Sequence, residues 1–289
     1  MRPGNPGVKL ASAGKGHSFV AREETVSLHV RRPAVAGLFY PADAQALRAA
    51  AQDHLSHVPL RQVGEAPKAL VVPHAGYVYS GPVAASAYAL LAPLRDRVRR
   101  VVLLGPSHRV GFDGLAASSA ETFETPLGQV EIDQEAVERV LTLPQVRRLD
   151  AAHAQEHSLE VQIPFLQLML SDFRLVPLVV GDATPAEVAE VIDTLWGGAE
   201  TLVVVSSDLS HYLSYEEARS VDRATTRAIE SLEPEAIGPD QACGRLPVQG
   251  LLLAAKRHGL HARTLDLRSS GDTAGSRDSV VGYGAYAFA

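Results

Sequence analysis

At 289 residues with 46% hydrophobic content, the chain has enough material for one large α/β domain or two small ones with a substantial core. Its net charge of -6 lacks the clustered excess of Lys and Arg that a nucleic-acid footprint requires. A single cysteine excludes an intramolecular disulfide framework and suits a reducing compartment, so Cys243 is inert, reactive or a ligand.

The first thirty or so residues carry Gly4, Gly7, Gly14, Gly16 and two prolines, and lack the continuous apolar stretch of a signal peptide. No later apolar run approaches the roughly 20 residues of a membrane span. The expectation is a soluble, cytoplasmic protein with a flexible N-terminal extension over 1–31 and one domain over 32–289. Neither nucleic acid nor membrane is expected as a partner.

From Arg32 onward, short β-branched runs alternate with longer helical stretches. A helix is predicted over 43–55, then a strand over 69–72 and a helix over 82–91 opened by Pro82. Arg95, Arg97, Arg99 and Arg100 read as a solvated loop leading into a strand over 101–104. An edge strand is expected over 129–132, a helix over 158–170 and a strand over 175–180. Thr184, Pro185 and Glu187 form a capping box for a helix ending near Trp196-Gly197-Gly198. After a strand over 202–205, Ser214 and Glu217 repeat the box for a helix reaching about Leu232. A helix over 247–258 and an alternating closing strand over 280–288 complete the order. Four of these strands are short, continuous and apolar, as strands buried on both faces are. The predicted fold is α/β, a single domain with a mainly parallel central sheet and helices on both faces. No internal repeat is visible.

Three of the buried runs end in a polar cluster: Pro73-His74-Ala75-Gly76-Tyr77, Gly105-Pro106-Ser107-His108, and Ser206-Ser207-Asp208-Leu209-Ser210-His211-Tyr212. Loops converge outside the carboxyl ends of parallel strands, so His74, His108 and His211 should meet on one face. Imidazole is the commonest metal ligand, and a site needs ligands from separate elements. Cys243 lies just ahead of a helix opened by Pro247, where a helix N-terminus favours the thiolate that binds metal. Asp208, one helical turn before His211, is placed to orient it or to help hold the metal. His157, Glu160, Tyr77, Ser107, Arg109 and Asp272 are expected around the pocket, with residues 270–275 as a tight loop at its rim. His153, Glu156 and His157 also spell H-x-x-E-H, the inverted metallopeptidase pattern, without an evident downstream glutamate as third ligand.

The motifs Arg32-Pro33-Ala34-Val35-Ala36-Gly37-Leu38-Phe39-Tyr40-Pro41, Pro73-His74-Ala75-Gly76-Tyr77, Gly105-Pro106-Ser107-His108, Glu156-His157-Ser158-Leu159-Glu160, Ser207-Asp208-Leu209-Ser210-His211 and Ser270-Gly271-Asp272-Thr273 occur in this order. Together they resemble the Memo-like proteins, in prokaryotes the B component of the AmmeMemoRadiSam system. The resemblance implies a fold like that of the LigB-type extradiol dioxygenases. It implies His74, His108 and Cys243 as ligands of one iron or copper ion, zinc being less expected, and His211 as the acid/base. It also implies AMMECR-type and radical-SAM proteins as partners. Cys243 stands where the dioxygenases have a carboxylate; because thiolate is softer and itself oxidisable, ring cleavage is not expected. The leading expectation is a metal-dependent oxidoreductase. The alternative is a non-catalytic module in which the imidazoles and Arg109 bind a peptide or other partner.

Overall fold

The computed structural model describes residues 29–59 and 66–289, together with Met1 and Gly4. The extension expected over 1–31 lies almost wholly outside the described residues. Its last part, Val30–Arg31, is a strand of the fold (β1).

The first half of the chain continues with α1 (Ala44–Ser56), β2 (Ala69–Val72), α2 (Tyr77–Tyr88), β3 (Arg100–Pro106), β4 (Leu115–Ala117), β5 (Thr122–Thr125), β6 (Gly128–Glu131) and α3 (Gln134–Val140). The second half holds β7 (Val146–Arg148), α4 (Asp150–Ala154), α5 (Ile163–Met169), β8 (Arg174–Val180), α6 (Pro185–Thr194), β9 (Thr201–Ser206), β10 (His211–Leu213), α7 (Tyr215–Glu230), α8 (Arg245–Arg257), β11 (Ala262–Ser269), α9 (Ser270–Thr273) and β12 (Val280–Phe288). No helix among the described residues is long and apolar enough to cross a membrane.

The large sheet runs β10-β12-β2-β9-β3-β8-β4-β7, with β11 paired to β12. Its centre, β2-β9-β3-β8, is parallel throughout. Antiparallel pairs flank it on both sides, β12 on β2 and β4 on β8, so the sheet is mixed around a parallel core. Every residue of β2 and β9 is buried, which requires a helical layer on each face. The helices fall into two groups: α2 contacts α1 and α5, and α6 contacts α8 and α3. A second, three-stranded sheet, β1-β5-β6, places β6 at its edge.

Both predicted capping boxes form, Thr184 with Glu187 and Ser214 with Glu217. The helix predicted from Pro82 instead begins at Tyr77, behind Gly76, and carries Pro82 in its interior. Gly76 has no side chain to signal a cap, so the proline was the only local mark and it misplaced the start. Residues 270–273 form a one-turn helix capped by Ser269 and Asp272 where a tight loop was expected. Residues 160–162 are a 3-10 turn that leads into α5.

Candidate metal centre

Because β2, β9 and β3 are neighbours and parallel, their carboxyl ends deliver His74, the 206–211 segment and His108 to the same edge of the sheet. Two glycines make this convergence possible. A Cβ on Gly105 would lie 2.8 Å from Ser158 Oγ, so its absence lets the 156–158 turn dock against the end of β3. A Cβ on Gly244 would lie 2.7 Å from the Ser206 carbonyl, so Cys243 is brought in against the end of β9.

His74, His108 and His157 each place one ring nitrogen within 4.8 Å of the other two, the one such donor set among the described residues. The His74 and His108 rings meet edge to face at 5.1 Å, and His108 stacks on His157 at 4.5 Å. His157 thus belongs to the donor set itself, whereas its sequence position suggested only the surrounding pocket. Cys243 is outside that set, but its Sγ lies 3.2 Å from His74 Nε2.

Hydrogen bonding fixes two of the rings. Ser206 Oγ donates to the Ser158 carbonyl, so toward His74 Nδ1, at 2.8 Å, it acts as acceptor. His74 therefore carries its proton on Nδ1 and turns the Nε2 lone pair toward Cys243. His108 donates Nδ1–H to Glu156 Oε1 at 2.8 Å, leaving Nε2 free. Burial opposes ionisation of Glu156, but hydrogen bonds from the His108 ring and from backbone N–H groups prevail and hold it at about 2. His157 Nδ1 is buried without a hydrogen-bond partner; the nearest Glu156 oxygen, at 3.3 Å, already receives the His157 backbone N–H.

Burial, reinforced by the neighbouring imidazoles, pushes His74 well below the usual histidine range. Burial and His108 bring His157 down to about 4. Both rings are neutral near pH 7, the form that binds metal. Burial raises Asp208 to about 6 against the opposing N–H donors of His74 and Ala75. Burial and Asp208 push the Cys243 thiol up to about 12, so the thiolate expected from the helix end is corrected: desolvation outweighs the helix. The helix α8 also opens at Arg245, not Pro247.

His211 donates Nδ1–H to the Leu209 carbonyl at 2.8 Å, which leaves Nε2 as its free basic atom. Asp208 is not a helical turn away from it, because residues 207–210 are irregular; its Oδ1 accepts the His74 backbone N–H at 2.7 Å instead. Glu160 is fully buried and bound to Arg31, to Tyr40 and to the backbone of Ala34 and Val35. Tyr77 is core, with its hydroxyl on the Val161 carbonyl, and Asp272 pairs with Tyr215 and caps α9. Ser107 Oγ bonds the Val110 carbonyl, and Arg109 is exposed beside His108. The H-x-x-E-H reading fails on geometry: α4 ends at Ala154, so Glu156 and His157 lie beyond it. His153 points elsewhere, with Nε2 on the Ala116 carbonyl at 3.0 Å.

Residues 31–287 match the family described as Memo-like protein. A MEMO1 family protein of Ignicoccus hospitalis is 38% identical over 285 residues, covering 90% of this chain and 98% of its own. One from Aeropyrum pernix is 39% identical, covering 89% and 98%, and one from Aquifex aeolicus is 37% identical with the same coverage. Among solved structures, an uncharacterized Escherichia coli K12 protein aligns with a TM-score of 0.46 at 15% identity, over 74% of this chain and 98% of its own.

Proposed function

The chain belongs to the Memo-like protein family, and we propose that its histidine cluster holds one iron or copper ion in a redox-active, oxidoreductase-type site. The observation that carries this reading is the donor set itself: three imidazoles within 4.8 Å of one another, two of them neutral by burial. One ion accepts a lone pair from each of the three rings at once. His74, His108 and His157 would hold it, with Cys243 joining as the softer donor beside His74.

When bound, the ion supplies Lewis acidity and one-electron redox chemistry. The chain's own residues do the rest. Glu156 and Ser206 keep His108 and His74 in the tautomers that face the ion, a role whose loss costs roughly 10–100-fold in metal affinity at comparable sites. His211 Nε2 is the atom that takes a proton from a ligand hydroxyl. Asp208 secures the backbone that carries His74.

The test is metal loading followed in weakly buffered solution. The protein should take up about one equivalent of iron or copper, and His74→Ala should lose it; no uptake by the wild type sinks the reading. Because Cys243 is protonated in the free protein, its recruitment should release about one proton per ion near pH 7, and Cys243→Ser should abolish that release. Proton release that persists in the variant removes Cys243 from the ligand set.

A further inference from the structure

Tyr212 is held in a conformation that tyrosine avoids. Its φ is +60°, one of two positive values at non-glycine residues among the described residues, and it falls at a register shift in the β10–β12 ladder. Bulges of this kind re-aim side chains, and a bulky residue with positive φ persists only where its surroundings impose it. The surroundings do so here. Leu209 N–H donates to the Gly282 carbonyl, Gly282 N–H donates to the Ser210 carbonyl, and the buried Asp222 accepts the Ser210 N–H. The result is a tyrosine 78% exposed, next to His211 with ring centroids 5.7 Å apart.

Tyr212 is not isolated. Apart from Met1, the large hydrophobic side chains exposed among the described residues are Leu38, Val78, Tyr79 and Tyr212. Leu38 and Tyr212 are chain neighbours of Phe39 and His211, and Val78 and Tyr79 follow within five residues of His74. Leu38 precedes Phe39, whose ring lies 4.7 Å from His157, and the Phe39 carbonyl receives the N–H of Tyr77, which leads into Val78 and Tyr79. Exposed apolar side chains on the segments around a site supply apolar surface to whatever binds there. The loop after β3 carries an uncommitted cation. Arg109 is exposed, acts on His157, and has no hydrogen-bond or salt-bridge partner among the described residues. The nearby carboxylates are occupied, Glu156 by His108 and backbone N–H groups and Asp208 by the His74 backbone.

We propose that the ligand of this site is a small organic acid with an apolar body, its anionic group set on Arg109 and its apolar part lying against Tyr212 and the neighbouring collar. This rests on the metal-site reading, and the two fail separately. The probes are hexanoate, its neutral analogue hexanamide, and acetate, titrated calorimetrically into metal-loaded wild type, Arg109→Gln and Tyr212→Gly, with metal content measured on every preparation. Wild type should prefer hexanoate over both other probes by about tenfold, the size of one charge-assisted contact or of a few buried methylenes. Arg109→Gln should lose the preference over hexanamide, and Tyr212→Gly the preference over acetate, both with unchanged metal content. Glycine accepts positive φ, so Tyr212→Gly should melt no lower than wild type and the loss cannot be assigned to unfolding. A wild type that does not discriminate among the probes, or variants that keep its preferences, would overturn the proposal. Absent metal overturns only the reading beneath it.

Discussion

His153 shows how one buried ring couples stability to pH. Nε2–H is spent on the Ala116 carbonyl, Nδ1 faces no acceptor, and burial brings the group down to about 4 from 6.5. Between those values the unfolded chain binds the proton and the folded one does not, so stability is complete above about pH 6.5 and drains away as pH falls toward 4. Relative to His153→Gln, the wild type should lose about 3 kcal/mol of unfolding free energy between about pH 7.5 and pH 4 in urea titrations. A difference that stays constant with pH would refute this. At the same scale, His74, His108 and His211 were legible in the sequence because each follows an apolar strand run. His157 was less so: it enters from a turn after a five-residue helix, and only the absence of a Cβ on Gly105 lets that turn reach the end of β3. The ionisation of Cys243 was not legible at all, since it depends on burial and on Asp208, which approaches from a different strand end.

Elements announced themselves when they were buried on both faces or explicitly capped. The strands β2, β3, β8 and β9 and the helices α6 and α7 are of this kind. The strands β4, β7 and β10 have three residues each, too few to display a period, and β11 is half-buried nearly throughout, so neither rule detects them. The element that matters most for the site is the least regular, the 207–213 segment clamped between β12 and α7. Gly282 is the point of closest approach: a Cβ there would lie 2.0 Å from Asp222 Oδ2. Gly282→Ala should therefore destabilise the protein by about 2 kcal/mol as α7 is forced outward. Combining it with Asp222→Ser should recover part of the loss in denaturation experiments. Equal stability of Gly282→Ala and wild type would show that the clamp is not tight.

Across the whole molecule, one buried cation joins the first described strand to the site. Arg31 pairs with Glu160 and donates to the carbonyls of His153 and Glu156, the turn that presents His157. Arg31→Ala strands the Glu160 carboxylate in the interior and should cost about 3–5 kcal/mol in chemical denaturation. Adding Glu160→Gln should restore part of it, and a single variant that unfolds like the wild type would contradict the role given to the pair. Sheet order carries a last consequence. The strand that delivers His74 lies between β9 and β12, and β12 is the last described strand in chain order. During synthesis β2 emerges early, yet neither neighbour exists until much later, and Cys243 also arrives late. A growing chain therefore has no assembled histidine cluster until β9 has settled between β2 and β3, and β2 stays an open apolar edge until β12 arrives.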